Sequence, residues 1–246
     1  MKSLKLKILS FIYLLLAIFW RLIDSAKSTA YRLKSERLTY LSLEALVALA
    51  EKVQAIEKDG IDGDIIETGS ALGGSAILIS KSKSQKRPFK VLDVFGMIPP
   101  PTEKDGEDVH KRFEVIESGK AKGIQGDEYY GYKTDLMKEV ELNFNRFGVD
   151  LAKNNVELVP GLFQDTLQAE GKVSLAHIDC DWYDSVMVCL ERITPRLVEK
   201  GVMVMDDYYD WSGCRDATDD YFKDKQDQFT FETVANKLHI TKLPVH

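Results

Sequence analysis

A single doubly wound α/β domain, with parallel strands in the centre and an antiparallel hairpin at one edge, is the fold class predicted by these 246 residues. Three observations predict it. Short β-prone runs alternate with amphipathic helical stretches, and several of these runs end in acidic residues. A glycine-containing turn joins the first run to a helix, as in dinucleotide folds. The last two runs, Phe229–Val234 and residues 238–243, are separated only by Ala235, Asn236 and Lys237 and read as a hairpin.

Taken in order, residues 41–56 form a strongly amphipathic helix that stops near Asp59 and Gly60, and its leucines are assigned to the core. Asp64–Thr68 is a strand; Gly69, Gly73 and Gly74 then form a turn that opens a helix at Ser75. Residues 89–92 are the second strand, ending in Asp93. Residues 97–133 carry Pro99, Pro100 and Pro101 with many charges, and a stretch this long is either a functional lid or disordered. Its Tyr129, Tyr130 and Tyr132 are candidates for a substrate pocket or for packing. A helix over 134–147 and a third strand over 156–159 lead to the turn Pro160, Gly161, Leu162, Phe163. Val173–Ile178 and residues 201–205 are the fourth and fifth strands, followed by helices over 184–198 and 213–222.

The chemistry lies at the strand ends. Val173–Ile178 delivers Asp179, Cys180 and Asp181, and 201–205 delivers Asp206 and Asp207 to the same sheet edge. Clustered carboxylates repel one another, and Mg²⁺ prefers oxygen ligands, so Asp179, Asp206 and Asp207 are candidate metal ligands. Helix capping is the competing reading, and Asp181 or Asp184 does no more than cap under it. Asp93, roughly twenty residues past the glycines, is placed to accept hydrogen bonds from ribose hydroxyls. The pattern Glu67, Gly69, Gly73, Gly74 resembles the first motif of S-adenosylmethionine-dependent methyltransferases.

Residues 36–223 as a whole resemble the macrocin O-methyltransferase family. The resemblance is carried by Glu36-Arg37-Leu38-Thr39, by residues 63–69 with Gly73 and Gly74, by 93–99 and by 161–167. It continues through 178–185, through 204–208 and through Gly213-Cys214-Arg215. It implies a Rossmann-like methyltransferase domain over 39–246 that moves a methyl group from S-adenosylmethionine to a sugar-like hydroxyl with Mg²⁺. Under that resemblance Glu67, Thr68, Gly69, Gly73, Gly74, Ser75 and Asp93 hold the donor, and Gly161, Leu162 and Phe163 contact its adenine. Asp179, Asp181 and His177 are the catalytic candidates, with Asp181 or His177 taking the proton; a structural histidine is the alternative reading of His177. The chain departs from the family pattern at Cys180 and Asp184. No lysine lies between Asp179 and Glu191, where related catechol methyltransferases carry their base.

Composition agrees with one α/β core. The net charge of −6 argues against nucleic acid as a partner and favours a small-molecule acceptor. Three cysteines without metal-ligand spacing point to a reducing, cytoplasmic compartment. Residues 1–38 carry eight Lys or Arg against Asp24 and Glu36, a net of +6 that leaves −12 for the rest. Within them residues 8–20 are almost unbroken apolar chain, about 20 Å as a helix against a hydrocarbon layer of roughly 30 Å. An extended span over 4–23 would cross with Lys5 and Lys7 snorkelling. This segment is expected either to contact a membrane surface through residues 1–25 or to pack on protein, including the interface of a homo-oligomer. Two further functions share the sheet: an NAD-dependent oxidoreductase, whose glycine spacing this chain lacks, and a catalytically silent cofactor- or membrane-binding domain.

Overall fold

The computed structural model describes residues 2–20, 25–168 and 170–244. Its sheet runs β1 (Asp64–Thr68), β2 (Phe89–Asp93), β3 (Val156–Pro160), β4 (Val173–Ile178), β5 (Leu197–Met205), β6 (Phe229–Val234) and β7 (Lys237–Lys242). The spatial order is β3-β2-β1-β4-β5-β7-β6. All pairs from β3 to β5 are parallel, while β7 runs antiparallel to both β5 and β6. β1 and β4 are buried along nearly their whole length, as central strands covered on both faces must be.

The helices are α1 (Lys2–Trp20), α2 (Ser25–Ser35), α3 (Leu43–Lys58), α4 (Gly74–Ser82), α5 (Glu107–Glu117), α6 (Leu136–Arg146), the single turn α7 (Phe163–Thr166), α8 (Tyr183–Ile193) and α9 (Ser212–Phe222). One apolar layer joins α2, α3, α4 and α6 to the sheet, with Leu46, Leu49, Ile77 and Phe144 fully buried. The other joins α8 and α9 to the opposite face through Val186, Leu190, Ile193 and Ala217.

Local chemistry sets the boundaries. Ser42 accepts a hydrogen bond from Ala45 N (3.1 Å), so the third helix begins at Leu43 rather than 41. The helix expected to reach 198 ends at Ile193, because Pro195 has no amide to continue it. β5 therefore starts at Leu197, four residues ahead of the expected 201. The hairpin closes through two residues instead of three: Ala235 and Asn236 both take positive φ (50° and 61°), and Lys237 pairs with Val234.

The 97–133 stretch is ordered. It contains α5 and is tied to the body at several points: Trp182 Nε1 donates to Pro99 O (2.9 Å), Asp105 Oδ1 accepts from Tyr183 N (2.7 Å), and Asp108 Oδ2 accepts from Ser212 N (3.0 Å). Arg37 pairs with Asp127 at 2.7 Å from the other side.

Part of the segment before residue 38 packs on the body. Ala26, Ala30 and Leu33 of α2 belong to the main core, so only α1 stands apart. α1 lies against α2, with Tyr13 and Tyr31 rings 6.1 Å apart, and exposes Ile8, Phe11, Leu15 and Ile18. Among the described residues no helix is long and apolar enough to cross a membrane. The span over 4–23 runs into residues 21–24, outside the described residues.

Deleting residues 1–24 is expected to change the stability of the remaining chain by less than about 1 kcal/mol, since α1 adds little to the main core, and to raise solubility by removing an exposed apolar surface. Denaturant titration and light scattering of the two proteins check this.

Candidate active site at the carboxyl edge of the sheet

Four turns leave the carboxyl edge, each pinned one ladder step beyond its strand. Gly69 N donates to Leu92 O (2.8 Å), Gly161 N to Asp93 O (2.9 Å), Asp179 N to Thr68 O (2.9 Å) and Asp206 N to Ile178 O (2.9 Å). The strand order reverses between β1 and β4, and turns diverging from such a point open a crevice. A cavity occupies it.

One wall is the glycine turn. Gly69 has φ +87°, and a Cβ there would fall on the Asp179 carbonyl, so only glycine fits. The turn is held by Asp93: Oδ2 accepts from Ser70 N (2.7 Å), Ala71 N (3.2 Å) and Ser70 Oγ (3.3 Å), and Oδ1 accepts from Phe95 N (2.7 Å). Burial pushes its carboxyl above the usual range while these donors pull it back. Asp93 thus faces the cavity as expected, but it also shapes the turn. Gly69, Gly74, Ser75, Leu162 and Phe163 share the cavity wall with it. Glu67, Thr68, Gly73 and Gly161 do not: the first two are fully buried in β1, Gly73 supplies a left-handed bend of the glycine turn (φ +83°), and Gly161 has positive φ (+135°) in the separate turn after β3.

Across the crevice, Asp179, Asp206 and Asp207 each present a carboxylate oxygen, all within 4.8 Å of one another. Asp206 Oδ1 and Asp207 Oδ2 are buried and accept no hydrogen bond among the described residues. Burial, then neighbouring carboxylates, push Asp179 and Asp207 well above the ordinary range. Burial opposes ionisation of Asp206 too, yet His177 and Lys237 hold it below that range. Three converging carboxylates, two of them with a buried oxygen that accepts no hydrogen bond among the described residues, fit a hard divalent cation better than helix capping.

The position of His177 favours its structural reading over the proton-acceptor one. The residue points the same way as Asp179 but below it, fully buried and outside the cavity wall. Its Nδ1 meets Glu67 Oε1 at 2.8 Å, and its Nε2 stands 3.5 Å from Asp206 Oδ1. Burial would lower its pKa, but Asp206 and Glu67 outweigh that and raise it to about 10. An imidazole already protonated has no lone pair with which to take a further proton. Asp181, in contrast, lines the cavity with its pKa raised to about 6, first by burial.

Sequence reasoning missed Lys237, whose Nζ reaches Asp206 Oδ2 (2.9 Å) and Asp210 Oδ2 (3.0 Å) from the hairpin. It also missed Tyr40, Arg112 and Trp211 of the cavity wall. Tyr129 and Tyr130 line the cavity, their rings 4.4 Å apart. Tyr132 instead packs behind them, its hydroxyl donating to Ile116 O (2.5 Å).

Two substitutions separate these roles. Asp93→Ala is expected to weaken donor binding and also to cost about 2–3 kcal/mol of stability, because it leaves buried amides of Ser70 and Phe95 unpaired. His177→Ala should destabilise by about 3–5 kcal/mol by stranding Glu67. Denaturant titrations read both, and calorimetry with S-adenosylhomocysteine reads the donor term.

The profile of the family described as Macrocin-O-methyltransferase (TylF) matches residues 34–236. An 8-demethyl-8-(2,3-dimethoxy-alpha-L-rhamnosyl)-tetracenomycin-C 4'-O-methyltransferase of Streptomyces olivaceus is 30% identical over 190 residues, 74% of this chain and 67% of the relative. A mycinamicin III 3''-O-methyltransferase of Micromonospora griseorubida is 27% identical over 194 residues, 74% of this chain and 69% of the relative. Among solved structures the O-methyltransferase NovP superposes with a TM-score of 0.70 at 22% identity, over 99% of this chain and 100% of that one. An O-methyltransferase from Bacillus cereus in complex with SAH does so at 0.53 and 11% identity, over 95% and 100%. The fold is therefore that of these methyltransferases, and the chain belongs to the macrocin O-methyltransferase family of O-methyltransferases.

Proposed function

We propose that the protein transfers the methyl group of S-adenosylmethionine to a hydroxyl of a sugar or glycoside, with a divalent cation such as Mg²⁺ held by Asp179, Asp206 and Asp207. The observation that carries this reading is the convergence of three aspartate oxygens within 4.8 Å of one another at the cavity wall, two of them buried without a hydrogen bond among the described residues. The relatives support the acceptor class, since two of them are named for methylation of sugar hydroxyls.

Methyl transfer is an in-line displacement at carbon, so the protein's share is mostly positioning. The Gly69 turn and Asp93 hold the donor, and Leu162 and Phe163 close on its base. Bound at the three aspartates, the cation supplies Lewis acidity that lowers the pKa of the acceptor hydroxyl. Asp181, at the cavity wall two residues beyond Asp179, takes the proton from that hydroxyl oxygen. Its environment suits the task, because a base works best with a pKa near the operating pH. Trp182 and Trp211, in edge-to-face contact at 6.1 Å, help exclude water from the acceptor side.

A methyl-transfer assay over rhamnosides and other glycosides tests the reading. Chelation by EDTA should abolish turnover while leaving the affinity for S-adenosylhomocysteine within about twofold, and Mg²⁺ should restore it. Asp179→Asn should lower turnover at least 100-fold with the same donor affinity, as expected for loss of a ligand to the activating ion. Full turnover in the chelated sample or in Asp179→Asn overturns the metal assignment.

A further inference from the structure

Arg112 is the one basic side chain among the described residues that line the cavity. It stands on α5, whose Val109 and Ile116 are buried and whose first turn is fixed by Asp108 to Ser212, so its backbone is preorganised. The side chain is half-buried and its guanidinium carbon lies 5.6 Å from the centre of the Tyr129 ring. No carboxylate among the described residues is within ion-pair distance of it, whereas Arg37 and Arg87 hold Asp127 and Glu57. Its charge is nevertheless felt on the acceptor side: it opposes the rise that burial causes at Asp181, Tyr129 and Tyr40.

A half-buried guanidinium beside one ring, its planar fork paired with no carboxylate among the described residues, suits a bidentate oxyanion. A neutral glycoside offers it hydroxyl oxygens but no charge to match. Five aspartates share this cavity with Arg112, and none of them pairs with it.

Resting on the sugar-acceptor reading above, we propose that Arg112 is a specificity determinant that binds an anionic group, carboxylate or phosphate, on the acceptor, so that the substrate is an acidic or phosphate-linked sugar rather than a neutral glycoside. The anion sits on the fork of Arg112 beside Tyr129, and the sugar ring lies between it and Asp181.

The test is equilibrium binding by calorimetry to the full chain loaded with Mg²⁺ and S-adenosylhomocysteine. The probes are two matched pairs: p-nitrophenyl glucuronide against p-nitrophenyl glucoside, and dTDP-rhamnose against methyl rhamnoside. At least one anionic probe should bind ten times more tightly than its neutral partner, and the pair that shows the gap tells carboxylate from phosphate. Arg112→Gln should erase that gap while leaving the affinity for S-adenosylhomocysteine within twofold, and Arg112→Lys should keep part of it. No gap in either pair, including no binding of any probe, overturns the proposal. So does a loss of donor affinity in Arg112→Gln, which would assign the arginine to the donor's own carboxylate. Failure of the unsubstituted chain to bind S-adenosylhomocysteine would instead strike the methyl-transfer reading itself.

Discussion

The site depends on how one buried carboxylate is compensated. Glu67 is completely buried at the end of the central strand, where an unpaired charge is costly. The parallel register between β1 and β4 sets it beside His177, which supplies the matching cation. That imidazole in turn approaches Asp206, and Asp206 is held on its other oxygen by Lys237. A continuous line of opposite charges therefore runs under the crevice from the glycine turn to the hairpin. Two of its members, His177 and Lys237, are never in the cavity, yet they determine which oxygen of Asp206 is free to face it.

The same line explains why Asp206 differs from its neighbours. Asp179 and Asp207 have no hydrogen-bonded cation, and burial, followed by the neighbouring carboxylates, drives both toward protonation, with His177 only partly opposing this at Asp179. Asp206 has two cations and stays ionised. An oxygen-ligand site needs charge, but a protein cannot bury three uncompensated carboxylates without loss of stability. Under the proposed metal role, fixing one carboxylate permanently and leaving two for the cation to neutralise is a compromise between the two demands. It also separates the functional cost from the structural one, since only the Asp206 arm is braced by the fold.

How much of this was legible in the sequence follows from the range of each interaction. The sheet, its parallel centre and the hairpin were legible because strand and helix periodicity is local, and the strand-end position of Asp93, Asp179 and Asp206 follows from those runs. Boundaries were misplaced where a single residue decides them, as at Ser42, Pro195 and the Ala235-Asn236 turn. Lys237 could not be assigned, because its contact with Asp206 spans 31 positions and exists only after the hairpin folds back on β5. His177 was placed on the correct face by its two-residue spacing from Asp179, but spacing does not tell a cavity wall from the layer beneath. That distinction came from Glu67, which takes Nδ1 before any substrate can.

Asp93 shows the same limit from the other side. Its place at the end of β2 marks it for the donor, and the structure does bring it to the cavity, but four of its hydrogen bonds go to the protein's own turn. A carboxylate that shapes the turn and faces the ligand links the two tasks energetically. The amides it gathers from Ser70, Ala71 and Phe95 would otherwise have to find partners in the ligand or in water. Under the proposed donor role, fixing them beforehand reduces the ordering that binding requires, which is where preorganisation gains its affinity. The aromatic wall on the opposite side is assembled differently, from Tyr40, Tyr129, Tyr130 and Trp211 on separate segments. Sequence order therefore says little about it, and variation in the 97–133 segment can alter the acceptor pocket without disturbing the turn that holds the donor.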